Sequence, residues 1–277
     1  MSETARRIIT GLILAAVAIL GIFFASDIFI ITITALLASG AMWEWCQLPR
    51  TGQSLFRTAL YCAAAFLLTA VMAFGYQSYP FAVVVVAAGW IAGLTWVGWI
   101  SLTGKAFQLN PRPALGLVVL CPSLGSISFL REYSPEGAFL LLAVCMLVWG
   151  SDIGAYFMGR KWGSSKLAPL VSPGKTWEGL LGGLVVGTGA CFLILTWTTL
   201  FRHFSGWVVV GLILCAIVSV LGDLFESALK RSAGRKDSGA LLPGHGGLLD
   251  RLDSLLAASP VFSGLILLLD PTQGVAS

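Results

Sequence analysis

Between residues 223 and 253 the sequence gathers Asp223, Glu226, Lys230, Arg231, Arg235, Lys236, Asp237, His245, Asp250, Arg251 and Asp253. Three, four and seven residues beyond Asp223 stand Glu226, Ser227 and Lys230, a spacing that puts all four on one helical face. Asp250, Asp253 and Ser254 share a face at the start of the next helix. Two helices can thus present carboxylates to one pocket. Carboxylate oxygens backed by basic side chains suit a hard cation together with phosphates, the expected form being magnesium held by one or two carboxylates and by substrate phosphate oxygens. The same residues also suit a buried Asp–Lys or Asp–Arg ion pair joining two helices, and spacing alone does not choose between the two.

Between these helices runs Leu242-Pro243-Gly244-His245-Gly246-Gly247. Glycines let backbone N–H groups approach an anion closely, and the loop empties into a helix N-terminus, which also favours phosphate. His245 could donate to a phosphate oxygen, or be an ordinary turn histidine. A second cluster holds Ser151 and Asp152, then Arg160, Lys161 and Lys166, then Ser172-Pro173-Gly174-Lys175-Thr176-Trp177-Glu178-Gly179. Gly174-Lys175-Thr176 imitates the end of a P-loop. The first glycine of that motif would fall at Pro169, and no strand is expected before it, so the P-loop is rejected. A lysine and hydroxyls beside a helix start still suit phosphate. Asp152 lies in an apolar run, where an acid is functional by default, with Arg160 a candidate structural partner.

These residues must be held by membrane helices. The chain has 277 residues, 57% hydrophobic and only 11% charged, where soluble proteins carry about a quarter. Its mean hydropathy is +0.89. A soluble enzyme, a disordered chain and a secreted disulfide scaffold are all excluded, and the net charge of +4 says little by itself. Apolar runs stand at Ile8–Ala25, Ile28–Trp45, Leu55–Phe74, Phe81–Ile100, Ala114–Leu130, Ala138–Phe157, Leu180–Leu200, Trp207–Leu229 and Leu252–Leu269. The expected fold is therefore all-α: a polytopic integral membrane protein of about nine transmembrane helices. Pro122 and Pro260 are expected to kink or break the fifth and ninth. The first run follows Arg6 and Arg7 and is read as a retained helix rather than a cleaved signal.

With the N-terminus in the cytoplasm, alternation gives that side fifteen Lys and Arg residues and the outer side only Arg131 and Arg202. This asymmetry supports the orientation and the odd number of spans. One membrane domain is expected, with 1–145 as scaffold helices and 146–277 as catalytic helices and loops. Seven of the thirteen acids lie between Trp149 and Ser254. The six cysteines fall in or beside apolar runs and read as small packing residues. Gly179, Gly183 and Gly187 recur every four residues and read as a close-packing face, more readily internal than between subunits. Glu44, between Trp43 and Trp45, reads as an interfacial belt position.

Ser227-x-x-Lys230-Arg231-x-x-x-x-Lys236-Asp237, followed by Pro243-x-His245-Gly246-Gly247-x-x-Asp250-Arg251-x-Asp253, resembles the signature of the phosphatidate cytidylyltransferase (CDP-diacylglycerol synthase) family. Asp152 with Gly154-Ala155-Tyr156, and Ser172 to Trp177, are similar to further stretches of that family. The second half carries the resemblance, and the first half is similar only in character. The resemblance implies transfer of CMP from CTP to phosphatidate, with magnesium and, in some members, a monovalent cation such as K+. It implies Asp223 and Asp250 as metal carboxylates. The roles expected on that basis give the triphosphate and pyrophosphate to Lys230, Arg231, Lys236, His245 and Arg251. Asp152, Ser172, Lys175, Ser227, Gly246 and Gly247 line the substrate side, while Asp237 and Asp253 orient basic neighbours.

The partners implied are CTP and bilayer phosphatidate, with no nucleic acid. The family and the glycine face suggest a homodimer, and a chain of this kind points to a bacterial inner membrane with its site facing the cytoplasm. Two other functions stay open on the residues: an ion-coupled transporter, and a membrane lipid kinase using CTP. Against the transporter, no internal repeat is visible and the charges gather at one face.

Overall fold

The computed structural model describes residues 15–49, 53–102, 109–199, 206–241 and 246–269. Nine helices occur among them, one in each predicted run. They are α1 (Ala15–Phe24), α2 (Asp27–Gln47), α3 (Leu55–Ser78), α4 (Phe81–Leu102), α5 (Pro113–Glu132), α6 (Gly137–Trp162), α7 (Trp177–Leu195), α8 (Gly206–Ser232) and α9 (Leu249–Leu269). Counted over the described residues, seven of these are long and apolar enough to cross a membrane. Of the residues behind the orientation argument, Arg6, Arg7, Arg50, Lys105 and Arg202 lie outside the described ones, as does the start of the first predicted span.

Helix ends differ from the apolar runs by a consistent rule. Apolarity marks where a helix meets hydrocarbon, whereas caps decide where it starts. Ser26 accepts the Phe29 N–H and starts α2, and Thr176 accepts the Gly179 N–H and starts α7 three residues before its predicted run. Helices α6, α8 and α9 run past their apolar stretches into polar sequence. Their overhangs carry the charged residues.

Two expectations are corrected. The chain is not wholly α-helical: β1 (Lys166–Ala168) and β2 (Ser172–Thr176) pair antiparallel between α6 and α7. Gly174-Lys175-Thr176 therefore sits on a short strand leading directly into a helix, which the P-loop comparison had not anticipated. The second correction concerns a break at Pro122 or Pro260: each lies inside one continuous helix. Serines on these two helices link them, Ser259 donating to the Ser123 carbonyl (3.1 Å) and Ser263 to that of Ser126 (3.3 Å). Hydroxyl-to-backbone bonds of this kind hold helices together where apolar burial has no water to escape.

The glycine face of α7 is internal and packs against α6. A Cβ at Gly183 or Gly187 would run into the Ser151 or Leu147 backbone, and one at Gly154 into Gly182. Gly189, on the same helix, faces open space. Gly187→Ala is expected to lower stability by about 1–3 kcal/mol through overpacking. Gly189→Ala should be neutral or raise stability by up to about 1 kcal/mol. Thermal unfolding in detergent compares the pair, and equal midpoints would contradict the internal seam. Helices α8 and α9 meet in the same way at Gly222, where a Cβ would strike Ala257 and the Asp253 carbonyl. That contact brings the acids of α8 and α9 to one level.

Candidate active site

Contacts bring together the end of α2, the end of α6, the β-hairpin, the end of α8 and the start of α9. Lys175 reaches from β2 to α8 and pairs with Asp223 at 2.7 Å, also donating to the Val220 carbonyl at 3.3 Å. Ser227 donates to the other Asp223 oxygen from one turn further on, as its spacing required (3.3 Å). Lys230 bridges Glu226 on its own helix and Asp250 on α9, at 2.5 Å each. Asp250 further accepts the N–H groups of Ser238 (3.1 Å) and Gly247 (3.0 Å). These contacts match the ion-pair reading of the sequence spacing: Lys175 joins the hairpin to α8, and Lys230 joins α8 to α9.

Asp152 lines a cavity of about 360 Å³ with Tyr156, Arg160, Gly174, Lys175 and Val220. Its electrostatic neighbours are Asp223, Lys175 and Arg251, and Asp253 in turn feels Asp223, Lys175 and Asp152. The inner cluster therefore carries five acids, Asp152, Asp223, Glu226, Asp250 and Asp253, against Lys175, Lys230 and Arg251. Arg160 is not the partner of Asp152. It lies two turns along the helix, roughly 12 Å away by helical rise, and donates instead to the Tyr156 hydroxyl at 2.7 Å. A second, apolar cavity of about 230 Å³ shares Leu167, Leu180 and Val220 with the first.

The remaining predicted residues divide. Ser172 is half-buried at the start of β2. Gly246 has φ +85°, a left-handed conformation that a glycine adopts without strain, and Gly247 is packed against Ser238. Arg231 directs its donors at the Val171 and Arg235 carbonyls, tying α8 to the hairpin and to its own turn. Lys236 and Asp237 are exposed on that turn, and Arg251 is exposed at the start of α9. His245 lies outside the described residues.

Glu44 overturns the belt reading. It is 2% exposed, and its carboxylate accepts from Ser238 Oγ (3.0 Å), the Leu249 N–H (2.9 Å) and the Leu241 N–H (3.3 Å). Trp45 beside it is also buried and donates to the Arg112 carbonyl at 3.1 Å. The signal that could have found Glu44 is the one used for Asp152, an acid inside an apolar helix.

Seven helices long and apolar enough to cross a membrane, with lysine-bridged carboxylates and a cavity that Asp152 and Lys175 line, define a polytopic membrane protein. Comparison with known proteins makes the class specific. The Cytidylyltransferase family model matches residues 5–269, and the chain belongs to that family. It is 38% identical over 266 residues to a phosphatidate cytidylyltransferase of Pseudomonas aeruginosa, covering 94% of this chain and 96% of the relative. A protein of the same name from Haemophilus influenzae is 36% identical over 283 residues, covering 93% and 96%. Another from Brucella suis is 36% identical over 260 residues, covering 94% and 92%.

Proposed function

We propose that this protein transfers CMP from CTP to phosphatidate, giving CDP-diacylglycerol and pyrophosphate. The observation that carries this reading is the pairing of Asp223 with Lys175 and of Asp250 with Lys230, with Lys175 also lining a cavity beside Asp152 and Arg160, in a chain of this family. Arg160 and Lys175 at the first cavity suit a phosphate, and the adjoining apolar cavity suits a hydrocarbon chain, as a phospholipid substrate requires. A phosphatidate oxygen attacks the α-phosphorus of CTP, forming the new P–O bond. The bond from that phosphorus to the β-phosphate oxygen breaks, and pyrophosphate leaves with the electron pair. Both reactants are anions, so the work lies in neutralising charge and aligning the oxygens.

Lys230, Arg231, Lys236, His245 and Arg251 are assigned to the triphosphate and the leaving pyrophosphate. Asp152, Ser172, Lys175, Ser227, Gly246 and Gly247 shape the substrate side, with Asp237 and Asp253 orienting basic neighbours. Magnesium, when bound, supplies positive charge to the phosphate oxygens, and Asp223 and Asp250 would hold it. The donor set suits it, because the inner acids outnumber their cations and all offer hard oxygens. Among the described residues no three His, Cys, Asp or Glu side chains could enclose a metal by themselves. A monovalent cation such as K+ belongs to the same reading, with no residue assigned to it. The full arrangement is nine spans, N-terminus in the cytoplasm, in a bacterial inner membrane with the site on the cytoplasmic face, as a homodimer. The Lys/Arg asymmetry of the sequence supports the orientation.

The test is turnover of the purified protein with phosphatidate, magnesium and CTP labelled at either the α- or the γ-phosphate. Label from the α-position is expected in lipid and is expected to vanish with EDTA. Label only from the γ-position would make the protein a lipid kinase. No label from either would turn attention to ion-coupled transport.

A further inference from the structure

Glu44 belongs to the helices read as scaffold, yet its carboxylate accepts from Ser238 and Leu241 beyond the end of α8 and from Leu249 at the start of α9. Ser238 is 194 residues away in sequence, Leu241 is 197 and Leu249 is 205. We propose that Glu44 is a positioning residue, which fixes the α8–α9 segment and through it the carboxylate of Asp250. Ser238 is shared: its hydroxyl goes to Glu44 and its N–H to Asp250. Leu249 immediately precedes Asp250 and opens α9, so Glu44 caps that helix from another part of the chain. Asp250 then holds Lys230, and Lys230 holds Glu226. Two carboxylates therefore grip one segment from opposite sides.

The chemistry of the grip is specific to a carboxylate. Two of its partners are backbone N–H groups and the third is a hydroxyl, and an ionised carboxylate accepts at both oxygens. Glutamine would turn an NH2 group toward one of these donors. The segment is also shaped around Glu44: a Cβ on Gly239 would stand 2.5 Å from Glu44 Oε1, and one on Gly247 would stand 2.7 Å from Oε2. An acid buried at this depth is costly unless used. Packing α2 into the bundle does not require it, because Ala38, Ala41, Met42 and Trp45 already bury that helix.

The catalytic part of this inference rests on the proposed cytidylyltransfer, while its structural part can be read without turnover. Glu44→Gln and Glu44→Asp are compared with the unaltered full chain by amide hydrogen exchange and by steady-state kinetics. Glu44→Gln is expected to lose protection at Ser238, Leu241 and Leu249 while α3 keeps its own. Its kcat should fall roughly 10–100-fold, the range seen when partners that orient a site residue are removed, with the KM for phosphatidate little changed. Glu44→Asp keeps both acceptor oxygens and should recover part of each effect. If Glu44→Gln does not fold, Ser238→Ala removes one partner alone and is expected to show the same exchange pattern with a smaller loss of kcat. Unchanged protection, or a kcat loss that only follows the folded fraction, would overturn the proposal. If the unaltered protein transfers no CMP, the proposed function fails, and the exchange pattern still decides whether Glu44 holds the segment.

Discussion

Asp250→Asn is expected to cut CMP transfer on the order of 100-fold, with more magnesium failing to restore it. The carboxylate accepts from Lys230, Ser238 and Gly247, one donor of which is a full positive charge. An asparagine has a single acceptor oxygen and sets an NH2 group against the remaining donors. With its oxygen toward Ser238 and Gly247, the asparagine would leave Lys230 only Glu226; with its oxygen toward Lys230, its NH2 group would face the Gly247 N–H. A metal ligand would disappear in the same step. Turnover against magnesium concentration, alongside the thermal midpoint, checks this. Activity within about tenfold of the unaltered protein at saturating magnesium would remove Asp250 from the metal site. Asp223→Asn tests the other assigned ligand in the same assay and is expected to behave alike, because its partner Lys175 loses its paired carboxylate.

Lys230→Met is expected to have the second large effect, on stability as well as on turnover. The Glu226 and Asp250 side chains are 4% and 12% exposed, and Lys230 is the cation paired with both. Removing one partner from a buried ion pair costs about 3–5 kcal/mol, since the remaining charge stays desolvated. Methionine keeps most of the volume, so the loss reports charge rather than a cavity. Adding Glu226→Gln removes one stranded charge and should recover a large part of the stability. Turnover should stay low in the double variant, because neither change returns a positive charge to the phosphates. Thermal unfolding and CMP transfer on the four proteins of this cycle separate the two roles. Turnover restored together with stability would leave Lys230 as a structural bridge only.

The helices were legible because their signal is local. Each apolar run of the sequence contains a helix, and the rejection of a soluble fold needed only composition. The α8 and α9 acids were legible for the same reason. Asp223, Glu226, Ser227 and Lys230 lie on one helical face by periodicity, and the Ser227–Asp223 and Lys230–Glu226 contacts are both between residues one turn apart. Helix ends were less legible, since apolarity stops at the edge of hydrocarbon while Thr176 and the polar overhangs obey capping. The β-hairpin was missed because β2 contains a proline and a glycine and has no alternating pattern to betray it.

What the sequence by itself determined is the set of helices, the face each presents and the concentration of chemistry in the second half. The tertiary structure alone decided the partners. Lys175 meets Asp223 across the hairpin and α8, Arg160 turns to Tyr156 rather than to Asp152, and Glu44 reaches the segment before Asp250. Helical periodicity relates residues within one turn or two of a single helix. It carries no information about which helices lie side by side. That was set by close approaches such as Gly222 against α9 and Gly187 against α6, where the missing side chain lets two backbones meet.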